Sequence, residues 1–140
     1  MQRYFFLLLL IAFSSVKAQT IYEEFESYKL NDRRQIKIQL PRNYEENVDK
    51  TYPLFLVLDG DYMFEAVAGN VDYYSYWEDI PEAIVVGINQ VETREDDTYY
   101  SDINSLPIET GAAFFEFISM ELLPHLYNEY RLANFNIAVG

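Results

Sequence analysis

Pro53-Leu54-Phe55-Leu56-Val57-Leu58-Asp59-Gly60 decides the fold. Its first six residues are apolar on both faces, so a strand made from them has no polar side to turn toward water. A continuous apolar run of this length reads as a strand covered on both faces, as in a parallel sheet. Asp59-Gly60 stops it with two turn-forming residues. Residues Tyr62 to about Asn70 follow, with Phe64, Val67 and Ala68 at helical spacing. Ala83–Ile88 is a second apolar run rich in β-branched residues and predicts a second buried strand.

Working outward, Glu26–Leu30 is a short strand candidate and Asn31-Asp32 a turn signal. From Arg34 to Leu40 the chain alternates, with Ile36, Ile38 and Leu40 on one face and Gln35, Lys37 and Gln39 on the other. That is the period of a half-buried strand, so residues 26–40 predict an antiparallel hairpin closed by Pro41. Asn43–Thr51 reads as a surface loop. Asn89–Pro107 is polar and without period, longer than an ordinary loop. Thr110 is the expected cap of a helix from Gly111 to about Tyr130, with Phe114, Ile118, Leu122, Leu126 and Tyr130 on one stripe. Pro124 falls inside it and predicts a kink or break near Leu122. Phe135–Val139 is a last short strand. The order is hairpin, strand, helix, strand, helix, strand. It predicts an α/β fold with an antiparallel hairpin, then parallel strands with flanking helices.

The 140 residues suffice for one domain, and no internal repeat divides them. Half are apolar and 17% aromatic, too many for a disordered chain. Ten basic against 23 acidic residues leave a net charge of −13, which repels phosphate backbones and disfavours nucleic acid as a partner. Without cysteine there are no disulfides, thiolate metal sites or thiol catalysis. Residues 1–18 read as a removable leader: Arg3, the apolar run Phe5–Phe13, then Val16-Lys17-Ala18 as a cleavage site. Its nine apolar residues would rise only about 14 Å as a helix, too short to span a bilayer. The expected domain is therefore 19–140, in a secreted or periplasmic protein with no membrane contact once the leader is removed. Cleavage takes two basic residues and no acidic one, leaving a charge of −15.

Leu40-Pro-Arg-Asn-Tyr44, Tyr52–Gly60, Val85-Val-Gly-Ile88 followed by Arg94 and Asp97, and Glu121-Leu-Leu-Pro124 together resemble the putative-esterase family. This is the branch of the α/β-hydrolase superfamily that holds enterochelin-type esterases, formylglutathione hydrolases, feruloyl and acetyl-xylan esterases and mycolyltransferases. The resemblance covers about residues 26–140 in order. It implies that Phe135-Asn-Ile-Ala-Val-Gly140 is similar to the fifth strand and the first glycine of the nucleophile elbow, Gly-x-Ser-x-Gly. No such motif occurs upstream. The nucleophile, acid and histidine are then expected beyond residue 140, and His125, upstream of the elbow, cannot fill the triad role. A chain ended at Gly140 is expected to be inactive and to fold poorly, with Phe135–Val139 an open edge.

The resemblance also implies an oxyanion donor in the loop after the third strand. The donor would be the backbone N–H of Asp61, with Gly60 as the flexible residue of the oxyanion loop and the Asp61 carboxylate turned away. The plainer reading is a simple strand-to-helix turn. Tyr62 and Arg94 are candidate substrate-binding residues; Arg94 has Asp59, or Asp96 and Asp97, as possible partners. Tyr73, Tyr74, Tyr76 and Trp77 read equally as an acyl or sugar pocket or as core packing. Asp59 with Asp61, or Asp96 with Asp97, are oxygen ligands for a cation in principle, but EF-hand spacing is absent. No cofactor or metal is expected. The leading function is a serine hydrolase acting on carboxylic esters, with a small-molecule or polysaccharide-linked ester as substrate. A non-catalytic relative, or an acidic, Tyr-rich module binding sugar or peptide, is the alternative. The sequence sets no oligomeric state.

Overall fold

The computed structural model describes residues 20–140. The expected leader lies outside the described residues. Five strands form one mixed sheet: β1 (Thr20–Ser27), β2 (Asp32–Gln39), β3 (Tyr52–Val57), β4 (Ile84–Ile88) and β5 (Leu132–Val139), in the order β1-β2-β4-β3-β5. β2 runs antiparallel to both β1 and β4, and β3 runs parallel to both β4 and β5. The predicted fold class is the observed one.

The central strands are covered on both faces, as their apolar runs require. On one face, Ile36, Ile38, Leu54, Leu56, Ile84, Val86 and Ile88 pack against Phe114, Phe117, Leu122 and Leu126. On the other, Val57 and Val85 pack against Phe64, Ala68 and Val71 of helix α1 (Gly60–Tyr76). This second layer also covers the polar side of β2. Lys37 is therefore buried, its Nζ 2.6 Å from Glu65 Oε1 and over the Phe64 ring, and Gln39 donates to the Ala68 carbonyl. β2 is thus less half-exposed than its alternation predicts.

Several boundaries differ from expectation. The first strand begins at Thr20 and ends at Ser27, so the hairpin turns through Tyr28–Asn31. Glu121 holds this turn from across the fold, accepting from Ser27 Oγ and from the N–H groups of Tyr28 and Lys29. α1 runs on to Tyr76. The helix expected from Gly111 starts at Glu109, with Ile108 rather than Thr110 at the cap position. It comprises α3 (Glu109–Glu116), a π-helical segment (Phe117–Leu122) and α4 (Leu123–Glu129). Pro124 is the cause: without its N–H the four-residue ladder loses a donor, and the turn before it widens to five. The wider turn puts Phe117 and Leu122, five residues apart, on one buried face. A strict four-residue stripe misses Phe117.

β5 begins at Leu132, three residues early. Tyr52 pairs with Leu132 and Leu54 with Asn136, so the register shifts around Pro53, which cannot donate to a ladder. Tyr127 Oη bridges the shift, contacting the Ala133 carbonyl and Asn136 Oδ1. Within Asn89–Pro107 lie the four-residue helix α2 (Arg94–Asp97) and a bridge between Tyr100 and Pro107. No helix among the described residues is long and apolar enough to cross a membrane.

Measured in a product of the gene that unfolds cooperatively, Phe117→Ala is expected to cost about 3–5 kcal/mol in urea unfolding. Phe115→Ala, two residues away and largely exposed, should cost well under about 1 kcal/mol, because its ring has little burial to lose. Equal costs would contradict the inward placement of Phe117.

Stability should also fall in acid. Hydrogen bonds from Lys37 and Arg42 hold the carboxyls of Glu65 and Asp72 below their ordinary range. A depressed carboxyl adds stability above its unfolded value, and that stability is lost as pH falls through the lower folded value. The urea midpoint is therefore expected to hold level from neutral pH to about 5 and to decline below about 4.

Candidate active site

β3 is where the strand order reverses. The chain steps from β3 to β4 on one side, then returns past it to β5 on the other. Open α/β sheets bind ligands beyond the carboxyl ends of strands at such a point. The loop there is Asp59-Gly60-Asp61.

Asp59 adopts a left-handed conformation, φ 50° and ψ 43°, and no glycine among the described residues has positive φ. The sharp turn is thus made by Asp59, and the expectation that Gly60 supplies it is corrected. Gly60 is needed for space. A Cβ there would stand 2.6 Å from Ile88 N and 2.7 Å from the Gly87 carbonyl carbon. The first residue of α1 therefore lies directly on the β4 backbone. One turn later Phe64 packs on Gly87, where a Cβ would meet its ring at 2.7 Å.

The N–H groups of Tyr62 and Met63 donate to the Asp59 carbonyl at 2.9 and 2.8 Å. Those of Gly60 and Asp61 donate to no acceptor among the described residues, as first-turn amides do. They sit at the positive end of a 17-residue helix. The Asp61 carboxylate points aside, accepting the Gln90 N–H at Oδ1 (2.9 Å). Of the partners open to Arg94, the structure selects Asp59: Arg94 Nε lies 2.8 and 3.0 Å from its two carboxylate oxygens. Tyr62 is exposed at the same end of the helix.

Asp97 does not meet Arg94. It is buried and accepts from Arg34 Nη2 (3.1 Å), Gln90 Nε2 (3.0 Å) and Thr93 Oγ1 (2.8 Å). Gln90 in turn accepts the Asp59 N–H at Oε1 (2.9 Å). Sequence reading passed over Gln90 and Arg34, because a glutamine in a polar loop and an arginine on an alternating strand carry no local signal. Among the described residues, no group of three or more His, Asp or Glu side chains stands where an ion could be held.

Tyr73, Tyr74, Tyr76 and Trp77 lie at the far end of α1, about 20–26 Å from Gly60 along the axis. All are largely exposed, so they are not core, and they do not line this loop. They pack in edge-on pairs, with Arg42 over Tyr76. His125 stands against β1, its ring edge-on to Phe25 and its Nε2 2.9 Å from Glu23 Oε1, close but not aligned as a hydrogen bond. Its ring and charge contacts are with β1, not with the loop after β3.

β5 finishes beside this loop. Val57 pairs with Val139, Leu58 donates to the Val139 carbonyl (2.8 Å), and a Cβ on Gly140 would lie 3.2 Å from Leu58 Cβ. The sequence profile of one family, described as Putative esterase, matches residues 27–140. The chain belongs to the Putative esterase family.

Solved structures agree with the family on the fold. An uncharacterised protein from Capnocytophaga ochracea is 34% identical, with a TM-score of 0.76 over 86% of this chain and 33% of its own. An IroE-like serine hydrolase from Shewanella oneidensis is 25% identical, with a TM-score of 0.74 over 86% of this chain and 42% of its own. The enterobactin esterase FES from Shigella flexneri, at 19% identity and a TM-score of 0.63 over 84% of this chain and 28% of its own, shares the fold. The chain thus spans less than half the length of these structures. No curated protein matches it.

In this esterase-family chain, Gly60→Ala is expected to destabilise by about 1–3 kcal/mol, since its Cβ meets backbone that cannot swing away. Gly69→Ala, in the same helix with open space at the Cβ position, should stabilise by about 0.5–1 kcal/mol. Thermal unfolding of both variants checks the contrast.

Proposed function

We propose that the chain is the N-terminal part of an exported serine esterase that hydrolyses carboxylic esters through an acyl-serine. The carrying observation is that β3 and β5 end in register, so that residues following Gly140 begin beside the two unpaired amides of the Asp59–Asp61 loop. In this reading the nucleophile, acid and histidine follow Gly140. The serine oxygen attacks the ester carbonyl carbon, and the carbonyl oxygen becomes an oxyanion. It accepts the Asp61 N–H on one side and the N–H of the residue after the nucleophile on the other. Collapse expels the alcohol, and water then releases the acid. Gly60 keeps the loop against β4 so that the Asp61 amide faces the substrate.

Tyr62 and Arg94 form the substrate-facing rim. Arg94 holds Asp59 through Nε, which leaves its two terminal amino groups to solvent, where an acidic substituent of the substrate can meet them. Pairing with Arg94 also offsets the Asp59 charge beside a developing oxyanion. Export rests on the leader: cleavage after Ala18 gives a protein starting at Gln19. Polysaccharide-linked esters and small diffusible esters both suit an exported enzyme.

The gene product read through beyond Gly140 is expected to release p-nitrophenolate from p-nitrophenyl acetate and to be labelled by a fluorophosphonate. Residues 19–140 alone should do neither above a boiled control. An inert, unlabelled longer product would sink the esterase reading in favour of a non-catalytic relative. Turnover by 19–140 alone would sink the assignment of the nucleophile downstream.

A further inference from the structure

We propose that Gln90 is the positioning residue of the oxyanion loop, oriented for that task by the buried Arg34–Asp97 pair. The inference rests on the esterase reading and adds what aims its Asp61 amide.

Gln90 lies two residues beyond the end of β4 and is 2% exposed. Its side chain is caught between two groups of opposite character. The Asp59 N–H can only donate. The Asp97 carboxylate, already receiving Arg34 Nη2 and Thr93 Oγ1, can only accept. The carboxamide therefore has one orientation that satisfies both ends: Oε1 to Asp59 N–H and Nε2 to Asp97 Oδ2. A flipped carboxamide would set donor against donor at Asp59 and acceptor against acceptor at Asp97. Burial leaves neither mismatch to water.

The main chain of Gln90 supplies the second grip. Its N–H donates to Asp61 Oδ1 at 2.9 Å. One residue thus holds the loop at Asp59 and at Asp61, on either side of Gly60, while Gly60 itself lies on the β4 backbone. With the loop fixed at three consecutive residues, the peptide plane that carries the Asp61 N–H has little freedom to turn. The left-handed Asp59 is a conformation that side-chain-bearing residues adopt at a cost. Its N–H bond to Gln90 and its pairing with Arg94 hold it there.

Asp97 acts at one remove. It lies in α2 and Arg34 in β2, so the aim of the amide depends on two buried residues that touch no substrate. Asp97→Asn tests this without changing shape. Oδ1 keeps Arg34, but an NH2 group replaces Oδ2 and faces both the Thr93 hydroxyl, which can turn and accept, and the Gln90 NH2, which cannot. Gln90 must then flip and present a donor to the Asp59 N–H. Gln90→Glu alone sets a second carboxylate against Asp97. The double variant Asp97→Asn with Gln90→Glu restores the pattern. The new amide at position 97 donates to the new carboxylate at position 90, and that carboxylate accepts the Asp59 N–H. It also keeps the parent's total charge in the cluster around Arg34, which pairs with Asp32 as well.

The test uses the full gene product, with two readouts on each variant. One is kcat and KM for p-nitrophenyl acetate. The other is hydrogen exchange of the amides of residues 59–62, which needs no turnover. Each single variant is expected to lose about 10²-fold in kcat, as a misaimed donor does, with KM within about threefold. Exchange at the Asp59 amide should speed up by about tenfold or more. The double variant should recover both to within about threefold of the parent, a non-additivity that mere loss of stability does not produce. Additive losses in the double variant, or single variants with parental kcat and parental exchange, overturn the proposal. If the parent itself turns over no ester, the esterase reading fails, and the exchange pattern alone still decides whether Gln90 fixes the loop.

Discussion

α1 begins on bare backbone. Gly60 lies so close to Gly87 and Ile88 of β4 that no side chain fits between them, and Phe64 closes on Gly87 one turn later. Two glycines in different elements thus bring a helix axis within contact of a strand at successive turns. Everything at the carboxyl end of β3 follows from this. The helix cannot withdraw, so Asp59 must turn within one residue, and it does so in a left-handed conformation. The first amides of α1 then face outward at the sheet edge beside the end of β5.

The same closeness concentrates charge. Asp59, Asp61 and Asp97 gather around the loop of an already acidic chain, where mutual repulsion would loosen it. Each carboxylate is instead matched to a donor: Arg94 for Asp59, the Gln90 N–H for Asp61, and Arg34 with Gln90 and Thr93 for Asp97. Both arginines come from far along the chain. A buried pair such as Arg34–Asp97 gains little net stability over apolar packing, but removing Arg34 would leave the Asp97 carboxylate buried without a cation, whereas Arg34 also pairs with Asp32.

On the opposite face the controlling residue is Pro124. The missing N–H widens one turn of the helix, and the widening brings Phe117 and Leu122 onto the sheet together. Glu121, within the same segment, reaches the β1–β2 turn. A local covalent fact about proline thus sets both the packing of a core layer and the anchoring of the outer hairpin.

The apolar runs at Pro53–Leu58 and Ala83–Ile88, and the stripe from Phe114 to Leu126, determined the α/β class and the order of elements. Burial on two faces leaves a mark in every residue of a strand, so these features are legible locally. The position of the loop after β3 was legible for the same reason, with the family resemblance added. Boundaries were less so. Strand β1 starts at Thr20 and α1 ends at Tyr76 because pairing with β2 and packing on the sheet outweigh local preference. The tertiary structure alone decided which residue of the loop turns left-handed, which acid Arg94 meets, and that Tyr73–Trp77 stand about 20–26 Å from Gly60. It alone brought Gln90 to the loop. Those facts depend on which groups from β2, β4 and α2 arrive at one point. A hydrogen bond between residues 31 or 63 positions apart leaves no period or spacing in the chain to be read.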